Sequence, residues 1–245
     1  MRVVDAFPFF NEVELLRARV ELLAGAVDHH VAVEGDCTHQ GHPRSLALSQ
    51  LELPPGRVNR GVVHLGELGR GYEANWARER TQRDFLLGCL LDLDPEDLVL
   101  LTDADEIPNP EVIDRLVRET EEGPVILGMR MIYYGYWEDP RGWWHAKAAR
   151  VRDLPLSLTD LRLRFDLPAV PDAGWHLSYL GGEERLRQKV TSFAHAENSE
   201  FEVWDRIRSG SNTGVGPNGE QLRRLTAREL GELPEPLLRV VTGAP

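Results

Sequence analysis

Asp103-Ala104-Asp105 puts two carboxylates one residue apart directly after the apolar run Leu98 to Leu101. If that run is a buried strand of an open α/β sheet, its carboxyl end faces the ligand crevice, and an Asp-x-Asp there points both acids into it. Two carboxylates so placed can hold a hard divalent cation while a diphosphate supplies the remaining oxygens. Glu106-Ile107-Pro108 fixes a third acid immediately behind them. The same pattern also serves turns and helix caps. In aspartate-based phosphohydrolases it places a nucleophile and an acid, but the pair here lies in mid-chain and is followed by Glu-Ile-Pro rather than by a small hydroxyl residue.

The chain of 245 residues has 28 Lys+Arg against 40 Asp+Glu, a formal net charge of -12. Such an acidic chain repels phosphate backbones, which argues against a nucleic-acid partner. A phosphate-ester ligand would need local positive charge from a metal or a few basic residues, and Lys147 and Lys189 are the only lysines. The two cysteines, Cys37 and Cys89, are far apart and outside any metal-ligand spacing, so neither a disulfide framework nor a zinc site is expected. No stretch approaches the ~20 apolar residues of a transmembrane helix, and an acid at position 5 spoils a signal peptide, so the expected location is the cytoplasm.

The elements that must position the acids follow from periodicity. Val3 to Phe7, His30 to Glu34, Gly61 to Leu65 and Leu98 to Leu101 read as strands of a mostly parallel sheet. Between them, Asn11 caps a helix with Glu14 three positions on and Val13, Leu16, Val20 and Leu23 inward. Glu73 to Leu91 is a long helix directed inward through Trp76, Phe85 and Leu90, and Asn109-Pro110 opens another with Val112, Ile113, Leu116 and Val117 inward. Val125 to Trp137 is strand-like and ends in the turn Glu138 to Gly142, with antiparallel strands here and helices near Gly182 to Ser192 and Glu200 to Ser209. Gly210 to Gly219 reads as a mobile loop and the last twenty residues as a weak tail. The expected organisation is one α/β domain over 1–245: a ligand-binding half at 1–123, an acceptor-side half at 124–215, and a C-terminal tail at 216–245.

Four blocks come in an order that resembles glycosyltransferase family 17: Asp5-Ala6-Phe7-Pro8-Phe9-Phe10-Asn11-Glu12, Val33-Glu34-Gly35-Asp36, Thr102 to Pro108, and Ala173-Gly174-Trp175-His176-Leu177-Ser178. The resemblance runs from the N-terminus to about Gly214. It implies a GT-A type nucleotide-sugar transferase fold with a Rossmann-like mixed sheet flanked by helices. It also implies a UDP-sugar donor such as UDP-N-acetylglucosamine, a glycan acceptor, a divalent metal (Mn2+ or Mg2+), and inversion at the anomeric carbon. No membrane anchor or stem like that of the eukaryotic members is expected, so a secretory-pathway glycan is not the expected acceptor. A non-catalytic glycan-binding module on the same scaffold is the remaining alternative, though such a module would not need to concentrate repelling carboxylates at a strand end.

Carried residue by residue, the resemblance implies Asp103 and Asp105 as the metal and donor motif and Glu34 as a nucleoside contact. His176, from the fourth block, and His195, beside Glu197, are the expected further metal ligands, since neutral imidazole suits a manganese-like ion. An inverting transfer needs a carboxylate base, for which Asp172, Glu106 and Glu197 are candidates, Asp172 first. Arg130, Arg187 and Lys189 are candidates for phosphate contact. Trp143, Trp144 and Trp175 are candidates for stacking on acceptor sugar rings, whose C–H faces suit π surfaces.

Overall fold

The computed structural model describes residues 1–54, 58–195 and 201–243. Four parallel strands form its centre: β1 (Val3–Phe9), β2 (His29–Gly35), β3 (Val58–Val63) and β4 (Leu98–Leu101), in the order β3-β2-β1-β4. Helix α1 (Val13–Leu22) links the first two, and α2 (Tyr72–Cys89) links the last two. Because β2 is added on one side of β1 and β4 on the other, the strand order reverses between β1 and β4. That reversal opens a crevice at their carboxyl ends.

Beyond β4 the sheet turns antiparallel through β8 (Lys147–Arg150), β6 (Val125–Tyr133), β7 (Trp137–Trp143) and β10 (Arg223–Arg224). β5 (Glu106–Pro108) leaves the acid pair and joins β9 (Ala169–Ser178), which runs parallel to β6. The remaining helices are α3 (Ile113–Glu119), α4 (Leu158–Arg162), α5 (Gly182–Val190), α6 (Phe201–Thr213), α7 (Ala227–Gly231) and α8 (Glu235–Thr242). The result is a mixed sheet flanked by helices. Among the described residues no helix is long and apolar enough to cross a membrane.

Several expectations are corrected here. Val125 to Trp137 is not one strand: it breaks at Tyr134 and Gly135, both at positive φ, and the hairpin returns so that Tyr133 pairs with Trp137. The segment expected as a turn, Glu138 to Gly142, is therefore inside β7. Its Pro140 is tolerated because the β6–β7 register is bulged between Met129 and Met131, where no ladder N–H is required. Phe85 is 41% exposed rather than inward. The buried face of α2 carries Asn75, Arg78, Gln82 and Arg83 instead, because it abuts loops and the crevice rather than a purely apolar core.

Asn11 does not cap α1 through its side chain. Glu12 takes the cap position and accepts from the Phe10 and Asn11 N–H groups at 3.1 Å. The region expected as a loop from Gly210 is helical to Thr213. The stretch 216–245, expected as a tail, carries α7 and α8, and Leu233 and Leu237 are buried with Leu15, Ala18 and Trp175 in a core on the α1 side of the sheet. Thr226 and Glu229 start α7 with a reciprocal capping box.

Candidate active site

The carboxyl ends of β1 and β4 border a cleft of about 830 Å³. Asp103 and Asp105 follow β4 into it, and Phe9 ends β1 there with Phe10 and Glu12 just after it. The acid loop is shaped from below by Arg19 of α1, which is fully buried and donates to the carbonyls of Asp103, Ala104 and Glu106 at 2.9, 3.3 and 2.9 Å. Asp5 holds that guanidinium from the other side and also meets His30 Nδ1 at 2.7 Å. Burial works against the Asp5 charge, but Arg19 and His30 outweigh it and lower its pKa to about 2.

Both acids of the pair are engaged by basic side chains. Asp103 Oδ1 accepts from Arg83 Nη1 at 2.5 Å and Oδ2 from Arg162 Nη2 at 2.6 Å. Lys189 Nζ lies 2.8 Å from Asp105 Oδ2, and His176 Nε2 lies 3.4 Å from Oδ1. Burial disfavours either charge, yet Arg162 and Arg83 hold Asp103 well below the usual carboxylate range, and Lys189 with His176 does the same to Asp105. Both carboxylates are therefore charged at neutral pH. With each oxygen committed to a guanidinium, Asp103 is badly placed to attack phosphorus, which counts against the phosphohydrolase alternative.

Glu106 lies behind the pair, fully buried, accepting from Asp103 N, Trp143 Nε1 and two Arg162 nitrogens. Trp143 packs its ring 4.4 Å from the rings of both His145 and His176. Burial, with Arg162 nearby, pushes His145 down to about 4, so it is neutral at pH 7. Tyr133 and Tyr179 stack on each other across the β6–β9 side of the cleft, their ring centroids 5.9 Å apart.

The family model for glycosyltransferase family 17 matches residues 1–212. The chain belongs to glycosyltransferase family 17. It is 26% identical over 271 residues to the β-1,4-mannosyl-glycoprotein 4-β-N-acetylglucosaminyltransferase of Rattus norvegicus, covering 90% of this chain and 49% of that one. The protein of the same name from Homo sapiens is 26% identical over 245 residues, covering 83% of this chain and 44% of that one. The chain thus spans about half the length of these relatives. Among solved structures, Rv0371c from Mycobacterium tuberculosis H37Rv superposes with a TM-score of 0.42 at 11% identity, over 78% of this chain and 98% of that one.

Of the site residues singled out in the sequence, the structure brings Asp103, Asp105, His176, Lys189, Trp143 and His195 to the cleft. His195 stands edge-on to Trp76, ring centroids 4.6 Å apart. Others are not there. Glu34 is fully buried beneath the loop after β2, where it takes Arg44 Nη2, Ala47 N and Leu48 N at 2.6 to 2.9 Å, so it braces that loop instead of facing a nucleoside. Arg130 pairs with Glu138 at 2.8 Å on the sheet, and Arg187 lies on the outer face of α5 over Trp204.

Trp175 points from β9 to the face opposite His176, into the α8 core. Trp144 is 41% exposed and covers Gly128. Asp172 is exposed at left-handed φ, about 13 Å of strand before His176 and outside the cleft. Glu106 is at the acid pair but sealed behind it, and Glu197 lies outside the described residues.

Sequence reasoning missed Glu12, Arg83, Arg162 and His145, all of which line the cleft. Glu12 had a usable signal: it follows a parallel strand by a few residues, as Asp103 does. Arg162 had none, since it arrives from a five-residue helix that no periodicity marks. Burial raises the affinity of Glu12 for its proton, and the Asp105 charge adds to this.

The donor set can be tested against a divalent cation. Among the described residues no three His, Cys, Asp or Glu side chains are grouped to form a protein-only cage. Both Asp103 oxygens are held by guanidiniums at 2.5 and 2.6 Å, whereas Asp105 Oδ1 faces, among the described residues, only the His176 imidazole, at 3.4 Å. Asp105 and His176 remain, one carboxylate and one imidazole at the cleft, and His176 Nδ1 is buried without a hydrogen-bond partner among the described residues. One or two protein ligands suffice for an octahedral ion that takes its other oxygens from substrate phosphates and water. The residues fit such a cation, which Asp105 and His176 would hold.

Proposed function

We propose that this chain is an inverting GT-A type glycosyltransferase that moves a sugar, N-acetylglucosamine first among candidates, from a UDP-sugar to a glycan acceptor with the help of Mn2+ or Mg2+. The observation that carries the reading is the Asp103-Ala104-Asp105 loop at the switch point between β1 and β4, held in place by Arg19 and open to the cleft. The charge balance supports a metal. Arg44, Arg80, Arg83, Arg162 and Lys189 face Glu12, Glu79, Asp103 and Asp105 in the cleft, with Glu106 just behind, so its described charged groups nearly cancel. A diphosphate needs more positive charge than that, which a cation on Asp105 and His176 would supply by stabilising the leaving group.

The residues of the chain divide the remaining work. The aromatic wall of Tyr133, Tyr179 and Trp143 offers stacking faces for sugar rings. Glu12 is our candidate for the base that takes the proton from the attacking hydroxyl. Its Oε2 is fixed by two backbone N–H groups, so the carboxylate has one orientation toward the cleft. Neither Cys37 nor Cys89 is in a disulfide, which suits a reducing compartment such as the cytoplasm.

Calorimetric titration of UDP with Mn2+, and again with excess chelator, tests the reading. Metal-dependent binding that disappears in Asp105→Ala is the expected result. Absence of UDP binding in both conditions overturns it.

A further inference from the structure

Asp103 is the centre of a cation cluster. Its two oxygens separate Arg83 from Arg162, two guanidiniums that are only 7% and 13% exposed and would otherwise repel each other. Glu79 holds Arg83 Nη2 at 3.3 Å from the side, and Glu106 holds Arg162 through both Nη atoms at 3.0 and 2.5 Å. The two side chains are thus clamped in single geometries on the cleft wall, one from α2 and one from α4. Lys189 continues the row on the far side of the acid pair, 2.8 Å from Asp105.

The clamping does not exhaust the donors. A guanidinium carries five N–H groups in a rigid fork, and the described partners of Arg83 take two of them while its Nε is buried with no partner among the described residues. An unmet buried donor costs on the order of 1–3 kcal/mol, and such losses are kept where a function uses them. Two preorganised guanidiniums beside an ammonium match the bidentate geometry and charge of a phosphate pair.

We infer that Arg83, Arg162 and Lys189 form the diphosphate-binding site of the cleft, and that Asp103 is a positioning residue that aims the two arginines and is not a metal ligand. The inference rests on the nucleotide-sugar reading above, and it divides the acid pair into two jobs. Asp105 serves the cation side, and Asp103 the anion side. Arg130 and Arg187, the arginines that sequence reasoning offered for phosphate, are engaged elsewhere.

The test uses inorganic pyrophosphate and UDP as calorimetric probes in the presence of Mn2+, together with direct Mn2+ binding by electron paramagnetic resonance. Arg83→Gln and Arg162→Gln are each expected to weaken pyrophosphate by at least about tenfold, the loss of one charge-assisted contact. Asp103→Asn is expected to weaken pyrophosphate while keeping Mn2+ affinity within about twofold, and Asp105→Asn to lose Mn2+. Circular dichroism checks each fold. If a Gln variant does not fold, Arg83→Lys and Arg162→Lys replace it, with a several-fold weakening expected because the charge stays and the fork goes.

Pyrophosphate affinity unchanged in the arginine variants, or Mn2+ affinity lost in Asp103→Asn, overturns the inference. UDP that still binds wild type and arginine variants equally well overturns the anion site and leaves the nucleotide reading intact. Wild type that binds pyrophosphate but not UDP does the reverse.

Discussion

Arg19 Nη1 donates to the Asp103 carbonyl at 2.9 Å across 84 residues of sequence, so the backbone of the acid loop is set by a side chain of the first helix. The same guanidinium meets Asp5, which is wholly buried, at 2.5 Å. Replacing Arg19 by Met leaves a buried Asp5 with His30 as its one described side-chain partner and frees three carbonyls of the loop. Loss of one member of a buried pair costs about 3–5 kcal/mol, which for a domain of this size lowers the melting temperature by on the order of 10 °C. Arg19→Lys keeps the charge but cannot span Asp5 and the loop together, so an intermediate loss is expected in thermal and urea unfolding.

Glu34 separates two roles cleanly. As a nucleoside contact its replacement by Gln would weaken UDP and leave stability alone. As the brace seen here, accepting from Arg44 and two backbone N–H groups, Glu34→Gln should cost about 1–3 kcal/mol in urea unfolding. UDP affinity should then change by less than about threefold. A large loss of UDP binding at unchanged stability would restore the nucleoside role.

The legible part of this molecule was the part with strong local signals. Leu98 to Leu101 is uniformly apolar, with Asp97 before it and Thr102-Asp103 after it, and it appears as a four-residue buried strand with the predicted limits. His176 and Lys189 both stand at Asp105, the first singled out from a motif block as a metal ligand and the second, one of two lysines in an arginine-rich chain, as a phosphate contact. What stayed hidden depends on long-range pairing. Glu34 and Asp103 look alike in sequence, each an acid at the end of a parallel strand, yet Arg44 folds back to cover one while the cleft opens over the other. The hairpin at Tyr134 and Gly135 was masked by the aromatic run around it, and Glu138 to Gly142 looked like a turn because Pro140 sits in a bulge.

Stability should fall in two steps on acidification. His145 has its pKa lowered from 6.5 to about 4, chiefly by burial, so the unfolded chain binds a proton there before the folded one does. Its contribution is constant above pH 6.5 and declines between about 6.5 and 4. Asp5 is lowered from 3.8 to about 2, so its contribution is present above pH 3.8 and lost as the pH falls toward 2. That shift corresponds to about 2 kcal/mol. Urea unfolding between pH 2 and 8 should show a decline beginning near pH 6.5, and His145→Gln should make the limb above pH 4 shallower without abolishing it, because burial also lowers His39, while leaving the acid limb in place.

Asp172 offers the sharpest contrast between sequence and structure, since it was the first candidate for the base and lies outside the cleft. It adopts φ of 57° on the surface, where its carbonyl accepts from Asn109 Nδ2 at 3.3 Å. Glycine tolerates that conformation at little cost, whereas alanine keeps the Cβ strain and lacks the local polar compensation of Asp. Asp172→Gly should therefore match or exceed wild-type stability, Asp172→Ala should lose about 1 kcal/mol, and both should retain sugar transfer within about twofold. Glu12→Gln, by comparison, should fold normally and lower kcat by at least about a hundredfold, the usual size of a general-base contribution. Transfer assays on the three variants decide the matter: full activity in Glu12→Gln with none in Asp172→Gly would return the base to β9.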